Sequence, residues 1–149
     1  MNIMEIRKIQ KEDLLACSHI LKDAYAETPY NEIFIGSNAE KYINDKYDNC
    51  YENSFVVTDE NNDVIAFIFL NVSYWSNGPQ VVLEEIVVDP RFQNQGIGKK
   101  LMQYTHDYLN SLNIKSVMLW VKKDNRLINF YENQGYFPAD DFVVMFKNF

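Results

Sequence analysis

Val81-Val82-Leu83-Glu84-Glu85-Ile86-Val87-Val88-Asp89-Pro90, followed by Gln93-Asn94-Gln95-Gly96-Ile97-Gly98-Lys99-Lys100-Leu101-Met102, is the stretch whose reading decides the fold. Its first part is rich in β-branched residues and reads as a strand over Val81 to Val88. Asp89-Pro90 ends that strand, and an amphipathic helix follows from Gly96 to Leu112, with Ile97, Leu101, Thr105, Tyr108 and Leu112 as its buried stripe. Glycines at 96 and 98 permit close backbone approach and unusual dihedrals, while the first amides of a helix have no intrahelical acceptor. Those amides and the helix dipole suit a phosphate. Lys99 and Lys100 stand where a helix ordinarily prefers acidic residues, a conflict that an anionic ligand resolves. The competing reading is a glycine-bearing turn with two solvated lysines. A P-loop is excluded because it needs Gly at 93 and Ser or Thr at 100, and a dinucleotide fingerprint because it needs a glycine at 101.

Upstream, Glu5 to Ile9 reads as a first strand, and Asp13 precedes a helical face of Leu14, Leu15, Cys17, Ile20, Leu21 and Tyr25 that Thr28-Pro29 ends. A shorter helix is expected from Ala39 to Tyr47. Ser54 to Thr58 and Val64 to Val72 form a hairpin about the turn residues 59–63, and Asn77-Gly78-Pro79 reverses the chain again. Downstream, Ser116 to Val121 is a strand, Leu127 to Gln134 a short helix closed by Gly135, and Asp141 to Phe149 a final strand. The order βααβββαβαβ predicts a mixed sheet covered by helices in a single domain spanning 1–149.

With 149 residues, 47% of them hydrophobic, the chain is long and apolar enough for one core. Its longest apolar run, Val64 to Leu70, is too short to span a bilayer, and early charges at Glu5, Arg7 and Lys8 leave no secretory core. A cytoplasmic location follows as an expectation. Cys17 and Cys50 are expected as free thiols, and no metal site is expected; His19 and His106 lack a partner at ligand spacing. A net charge of −7 argues against nucleic acid as a partner and leans towards cationic ones.

The run Leu83 to Pro90 with Gln93-x-x-Gly96-x-Gly98, together with Asn129-Phe130-Tyr131-Glu132-Asn133-Gln134-Gly135-Tyr136, resembles the acetyl-CoA-binding and second motifs of the GNAT superfamily of N-acyltransferases. The resemblance is specific over about residues 81 to 137. It implies an α/β (α+β) fold with a mostly antiparallel sheet flanked by helices, and an N-acetyltransferase that moves an acetyl group from acetyl-CoA to a primary amine without a covalent enzyme intermediate. It places pantetheine against Ile86, Val87 and Val88, and the pyrophosphate on Gln93, Asn94, Gln95, Gly96, Ile97, Gly98 and Lys99. Tyr131 then corresponds to the tyrosine that protonates the departing thiolate, with Phe130 beside it; a core tyrosine on an amphipathic helix is the bland alternative. The family's asparagine seven positions before the tyrosine is Asp124 here, so that cofactor contact falls either to Asp124 or, with the loop one residue shorter, to the adjacent Asn125.

Glu84 and Glu85 interrupt an apolar strand. Adjacent strand residues face opposite ways, so at most one is expected in a given pocket. An ammonium acceptor must lose a proton before attack, which suits a carboxylate base. The pair resembles the acidic pair of polyamine acetyltransferases, where Glu84 corresponds to the water-linked base and Glu85 to the substrate-side carboxylate. Tyr25, Tyr30, Phe34, Tyr74 and Trp75 are candidates for an aromatic acceptor lining, with Glu27, Glu32 and Asp23 nearby for a cation. The acceptor is expected to be a primary amine of a small molecule, cationic or not, or of a polypeptide; a coenzyme-binding sensor without turnover is the rival reading. Homodimerisation is common in the superfamily, and the run 142–146 offers either an interface or an interior strand.

Overall fold

The structure, a computed structural model, describes residues 4–149. The chain falls into two compact units, Met1–Leu119 and Trp120–Phe149. The first holds strands β1 (Glu5–Lys8), β2 (Phe55–Thr58), β3 (Val64–Trp75), β4 (Gly78–Val88) and β5 (Val117–Met118), and helices α1 (Leu14–Ala26), α2 (Asn38–Cys50) and α3 (Ile97–Ser111). The strands lie in the order β1-β2-β3-β4-β5, antiparallel except for the parallel β4–β5 pair. The mixed, mostly antiparallel fold expected from the sequence is therefore present.

Alternation along the strands divides the residues of the sheet between two layers. Val56, Phe67, Phe69 and Val87 pack with Leu14, Cys17, Ile20 and Leu21 of α1 and Ala39, Ile43 and Cys50 of α2 in one buried cluster. Phe55, one residue out of phase with Val56, meets Tyr104 and Tyr108 of α3 edge-on at 5.1 and 4.9 Å. Each fully buried side chain of this size contributes roughly 1.5–3 kcal/mol. Asp13 is buried at the entry to α1 and held by Arg7 at 2.8 and 2.9 Å. Both cysteines are buried and free.

Several boundaries differ from the sequence reading. Helix α2 runs 13 residues, as long as α1, because Asn38 and the turn beyond Tyr47 also adopt helical geometry. The buried stripe of α3 is Ile97, Leu101, Met102, Thr105 and Leu109, whereas Leu112 is exposed and Tyr108 half-buried. Helix α3 ends at Ser111 and Leu112 is its C-cap residue, so the repeat that would carry position 112 onto the buried face stops one residue short of it, and Leu109 is the last buried residue of the helix. Strand β3 continues to Trp75 and β4 begins at Gly78, which adopts φ 118° beyond the two-residue turn.

The second unit is built on α4 (Asn125–Glu132). Asp124 caps it by accepting the Leu127 N–H at 3.1 Å, and it closes with Gly135 N–H to Glu132 O and Tyr136 N–H to Tyr131 O at φ 90° for Gly135. The expected strands are shorter here. Of 116–121 only Val117–Met118 pairs, as β5 of the first unit, and 141–149 in the second forms no strand, since a strand exists only through a ladder partner. Among the described residues no helix is long and apolar enough to cross a membrane.

Candidate active site at the β4 bulge and the glycine turn

Register decides the site. In the β3–β4 ladder Ile68 faces Ile86 and Phe69 faces Glu85, but Leu70 faces Leu83, so Glu84 is an extra residue on β4. Such a bulge suspends the strict alternation of the strand. Glu85, opposite Phe69, lies on the layer of α1 and α2. Its carboxylate accepts the Tyr25 hydroxyl at 2.9 and 3.1 Å and the Tyr42 hydroxyl at 2.8 Å. Glu84 reaches the same helix: its Oε2 lies 3.1 Å from Lys46 Nζ, one turn beyond Tyr42 on α2. Asn71 Nδ2 adds a long contact of 3.4 Å to Glu84 Oε1. Both glutamates thus reach side chains of α2, because the bulge breaks the alternation that sends neighbouring strand residues to opposite faces.

The two carboxylates are electrostatically unequal. Burial raises Glu85 to about 7 against the pull of the two hydroxyls and the Lys46 ammonium, with the charge of Glu84 adding to the rise. Tyr25 and Tyr42 are pushed far above the ordinary phenol range, by burial first and by the Glu85 charge next, so both serve Glu85 as protonated donors. Tyr30 stacks on Tyr25 at 4.4 Å, while Phe34 bridges Tyr25 and Tyr42 edge-on at 5.9 and 6.4 Å.

Tyr74 and Trp75 do not join this group. They are 80% and 75% exposed at the far end of the hairpin, and six ladder positions from Phe69 to Trp75 amount to about 20 Å. Glu32 is exposed and meets α1 through its backbone N–H, which donates to Tyr25 O at 2.8 Å. Tyr42 and Lys46 escaped the sequence reading. Their four-residue spacing on a predicted helix puts them on one face, but nothing local says which strand that face meets.

Ile86, Val87 and Val88 pair with Ile68, Phe67 and Ala66 on one side. On the other, β5 meets β4 only at Val81↔Val117 and Val82↔Met118, so within the described residues of the first unit the edge from Leu83 to Val88 has no strand partner there. Unpaired backbone beside a sheet is costly unless a ligand bonds it. The edge leads into the glycine turn. Buried Asp89 accepts the Arg91 N–H at 2.9 Å; burial alone raises its carboxyl, but the Arg91 hydrogen bonds hold it below the usual range. Gln93 Nε2 donates to Val88 O at 3.1 Å, and Asn94 and Gly96 turn the chain through left-handed φ of 61° and 79°.

The first helical bond of α3 runs from Lys100 N–H to Gly96 O at 3.0 Å, so the N–H groups of Ile97, Gly98 and Lys99 precede any intrahelical acceptor. Gly98 lies inside the first turn of α3, and only Gly96 of the pair uses left-handed backbone. Exposed Gln93, Asn94, Gln95, Gly96 and Lys99 surround those amides, while Ile97 is buried as an anchor. This donor set fits a diphosphate.

Tyr131 and Phe130 stand on α4 of the second unit, with rings 5.1 Å apart, and Tyr136 is 5.7 Å from Tyr131. Asp124 is committed to capping α4 and Asn125 is the first helical residue, exposed. Among the described residues no cluster of three or more His, Cys, Asp or Glu side chains has metal-binding geometry. A cavity of about 260 Å³ beside α1 is acidic, but its Asp59 bonds the amides of Asn61 and Asp63, and its Asp89 is taken by Arg91.

Residues 16–136 match the family model described as the Acetyltransferase (GNAT) family. A ribosomal protein bS18 alanine N-acetyltransferase of Escherichia coli K12 is 29% identical over 140 residues, covering 90% of this chain and 81% of that protein. The crystal structure of the ribosomal-protein-S18-alanine N-acetyltransferase from Escherichia coli superposes with a TM-score of 0.72 at 25% identity, over 93% of this chain and 86% of that one. An aminoglycoside N-acetyltransferase solved in complex with CoA has the same fold, with a TM-score of 0.69 at 17% identity over 99% and 96% of the two chains.

Proposed function

Since the chain belongs to the GNAT acetyltransferase family and is an acyl-CoA N-acyltransferase, we propose that it transfers an acetyl group from acetyl-CoA to a primary amine of a small molecule or polypeptide, with Glu85 as general base. The observation that carries this reading is the Glu85 carboxylate itself. It is held at the bulge by two tyrosine hydroxyls and titrates near 7, where a base is most effective at physiological pH. We read both units as one acetyltransferase domain, because the family match runs across the boundary at residue 119.

Bound acetyl-CoA supplies an acyl thioester. The amides of Ile97, Gly98 and Lys99, with Gln93 to Gly96 around them, hold its diphosphate, and the open edge at Ile86 to Val88 bonds its pantetheine arm. Glu85 takes a proton from the acceptor ammonium, directly or through one water, and leaves a neutral amine to attack. Backbone N–H groups at Val87 or Val88 face the charge that develops on the carbonyl oxygen. Tyr131 gives its hydroxyl proton to the sulfur as the thiolate departs, its phenolate is restored by the second proton that the new amide nitrogen sheds, directly or through water, and Glu85 releases its proton to solvent. Glu84, neutralised by Lys46, orients the acceptor.

A panel of peptide α-amines, amino acids, aminoglycosides and polyamines, read by release of free thiol and paired with calorimetric titration of acetyl-CoA, tests this. Turnover with one class, lost in Glu85→Gln and reduced in Tyr131→Phe at unchanged coenzyme affinity, is the expected result. Tight coenzyme binding without thiol release from any amine would replace the transferase with a sensor, and absence of binding would remove the coenzyme assignment altogether.

A further inference from the structure

The bulge sets two carboxylates side by side under an aromatic wall of Tyr25, Tyr30, Phe34 and Tyr42. Left to themselves, two carboxylates and four rings would attract a dication. The site already contains one cation. Lys46 Nζ sits 3.1 Å from Glu84 Oε2 and 5.2 Å from the centroid of the Tyr42 ring, with both partners of the ion pair largely buried at 21% and 17% exposure. It holds the position and the contacts that a second ammonium of a substrate would seek.

From this geometry we infer that Lys46 is a charge filter of the acceptor site: it neutralises Glu84, leaves Glu85 as the single anionic partner, and so restricts the acceptor to an amine carrying one positive charge. This deepens, and rests on, the assignment of the bulge as the acceptor side. The count follows from the groups that face one another here. Tyr25 comes from α1, Tyr42, Lys46, Asp45 and Cys50 from α2, Asn71 from β3 and the two glutamates from β4. Asp45 is an exposed residue of α2 and acts at longer range, so among these described groups Lys46 is the cation in direct contact with a carboxylate. A diamine would bring its second ammonium against the Lys46 ammonium, where Glu84 is already paired. Peptide α-amines and other monoamines meet no such opposition. The net charge of −7, from which a leaning towards cationic partners is drawn, is spread over the surface and does not enter this local balance.

Butylamine and 1,4-diaminobutane, which share a four-carbon chain and differ in one ammonium, isolate the effect. Their kcat/KM values are compared at low ionic strength in the native protein, Lys46→Met and Lys46→Arg. We expect the ratio of diamine to monoamine to rise about tenfold in Lys46→Met, to stay native in Lys46→Arg, and to lose most of the rise in about 0.5 M salt. The acid limb of the monoamine profile should also move to higher pH in Lys46→Met alone, since the ammonium favours the ionised form of Glu85. Glu84→Gln, which leaves the lysine uncompensated, should lower the ratio below native and covers the case in which Lys46→Met fails to fold. A native preference for the diamine, or an unchanged ratio in folded Lys46→Met or in Glu84→Gln, overturns the filter while leaving amine acetylation intact. Failure of every amine in the wider panel to release thiol overturns the transferase reading and the filter together.

Discussion

Replacing Tyr42 by Phe removes one hydroxyl donor, at 2.8 Å, from the Glu85 carboxylate and keeps the ring that packs against Phe34. Hydrogen bonds to a charged group are worth about 1.5–3 kcal/mol, and a pKa moves by one unit for about 1.4 kcal/mol. Tyr25 still donates to the carboxylate, and Lys46 still acts on it, so the lower end applies, a rise of about one unit from the native value near 7. The sign is fixed by the donor: it stabilises the carboxylate, and its loss favours the protonated acid. At pH 7 the ionised fraction of Glu85 would fall from about one half to about one tenth, lowering kcat/KM roughly fivefold. Well above pH 9 native and variant rates should converge. Thiol-release assays across about pH 5.5 to 9.5, at saturating acetyl-CoA and limiting amine, read the limb directly. A limb that stays in place, or moves to lower pH, would refute the assignment of Glu85 as the titrating base.

Two further outcomes bear on stability and on the coenzyme. Glu85 is raised from 4.5 to about 7 by folding, so its contribution to stability is full below about pH 4.5 and lost as pH rises through 7. Glu85→Gln should therefore melt higher than the native protein above pH 7, by an amount on the order of 1–3 kcal/mol that fades towards pH 4.5, while turnover is lost; a variant less stable at pH 8 would contradict the burial argument. Gly96 adopts φ 79°, and an added Cβ would meet no heavy atom within 4 Å, so Gly96→Ala strains the backbone without a clash. It should cost about 1–2 kcal/mol of stability and weaken acetyl-CoA binding by at least tenfold, because the strain is relieved by re-aiming the amides of the turn; an unchanged Kd in calorimetry would take the diphosphate off this turn.

Much of the molecule was legible in its residues. The β-branched and aromatic run in Val64 to Val72 and the period of about 3.6 in the segment after Gly96, with turn residues between, determine elements whose hydrogen bonds are mostly local or close to it. The glycine turn was equally legible: strand, Asp-Pro, glycine and helix are consecutive in the chain, and the free amides that give it chemistry belong to any helix start. The errors lie where a partner far along the chain decides. Leu112, left beyond the end of α3 at Ser111, and the unpaired run 141–149 were settled by where an element stops and by whether it finds a partner.

What the sequence by itself determined is the family-like motif order, the anion-binding turn and the presence of two neighbouring carboxylates on a buried strand. Only tertiary structure decided what those carboxylates are. The extra residue of β4 is defined by its register on β3, which breaks the alternation and turns Glu84 and Glu85 towards the same helices. There Tyr25 and Tyr42 make one a titratable base, and Lys46 makes the other half of an ion pair. The charge state of a side chain is set by what solvates it, and here the solvating groups come from residues 25, 42 and 46, some forty to sixty positions away in the chain.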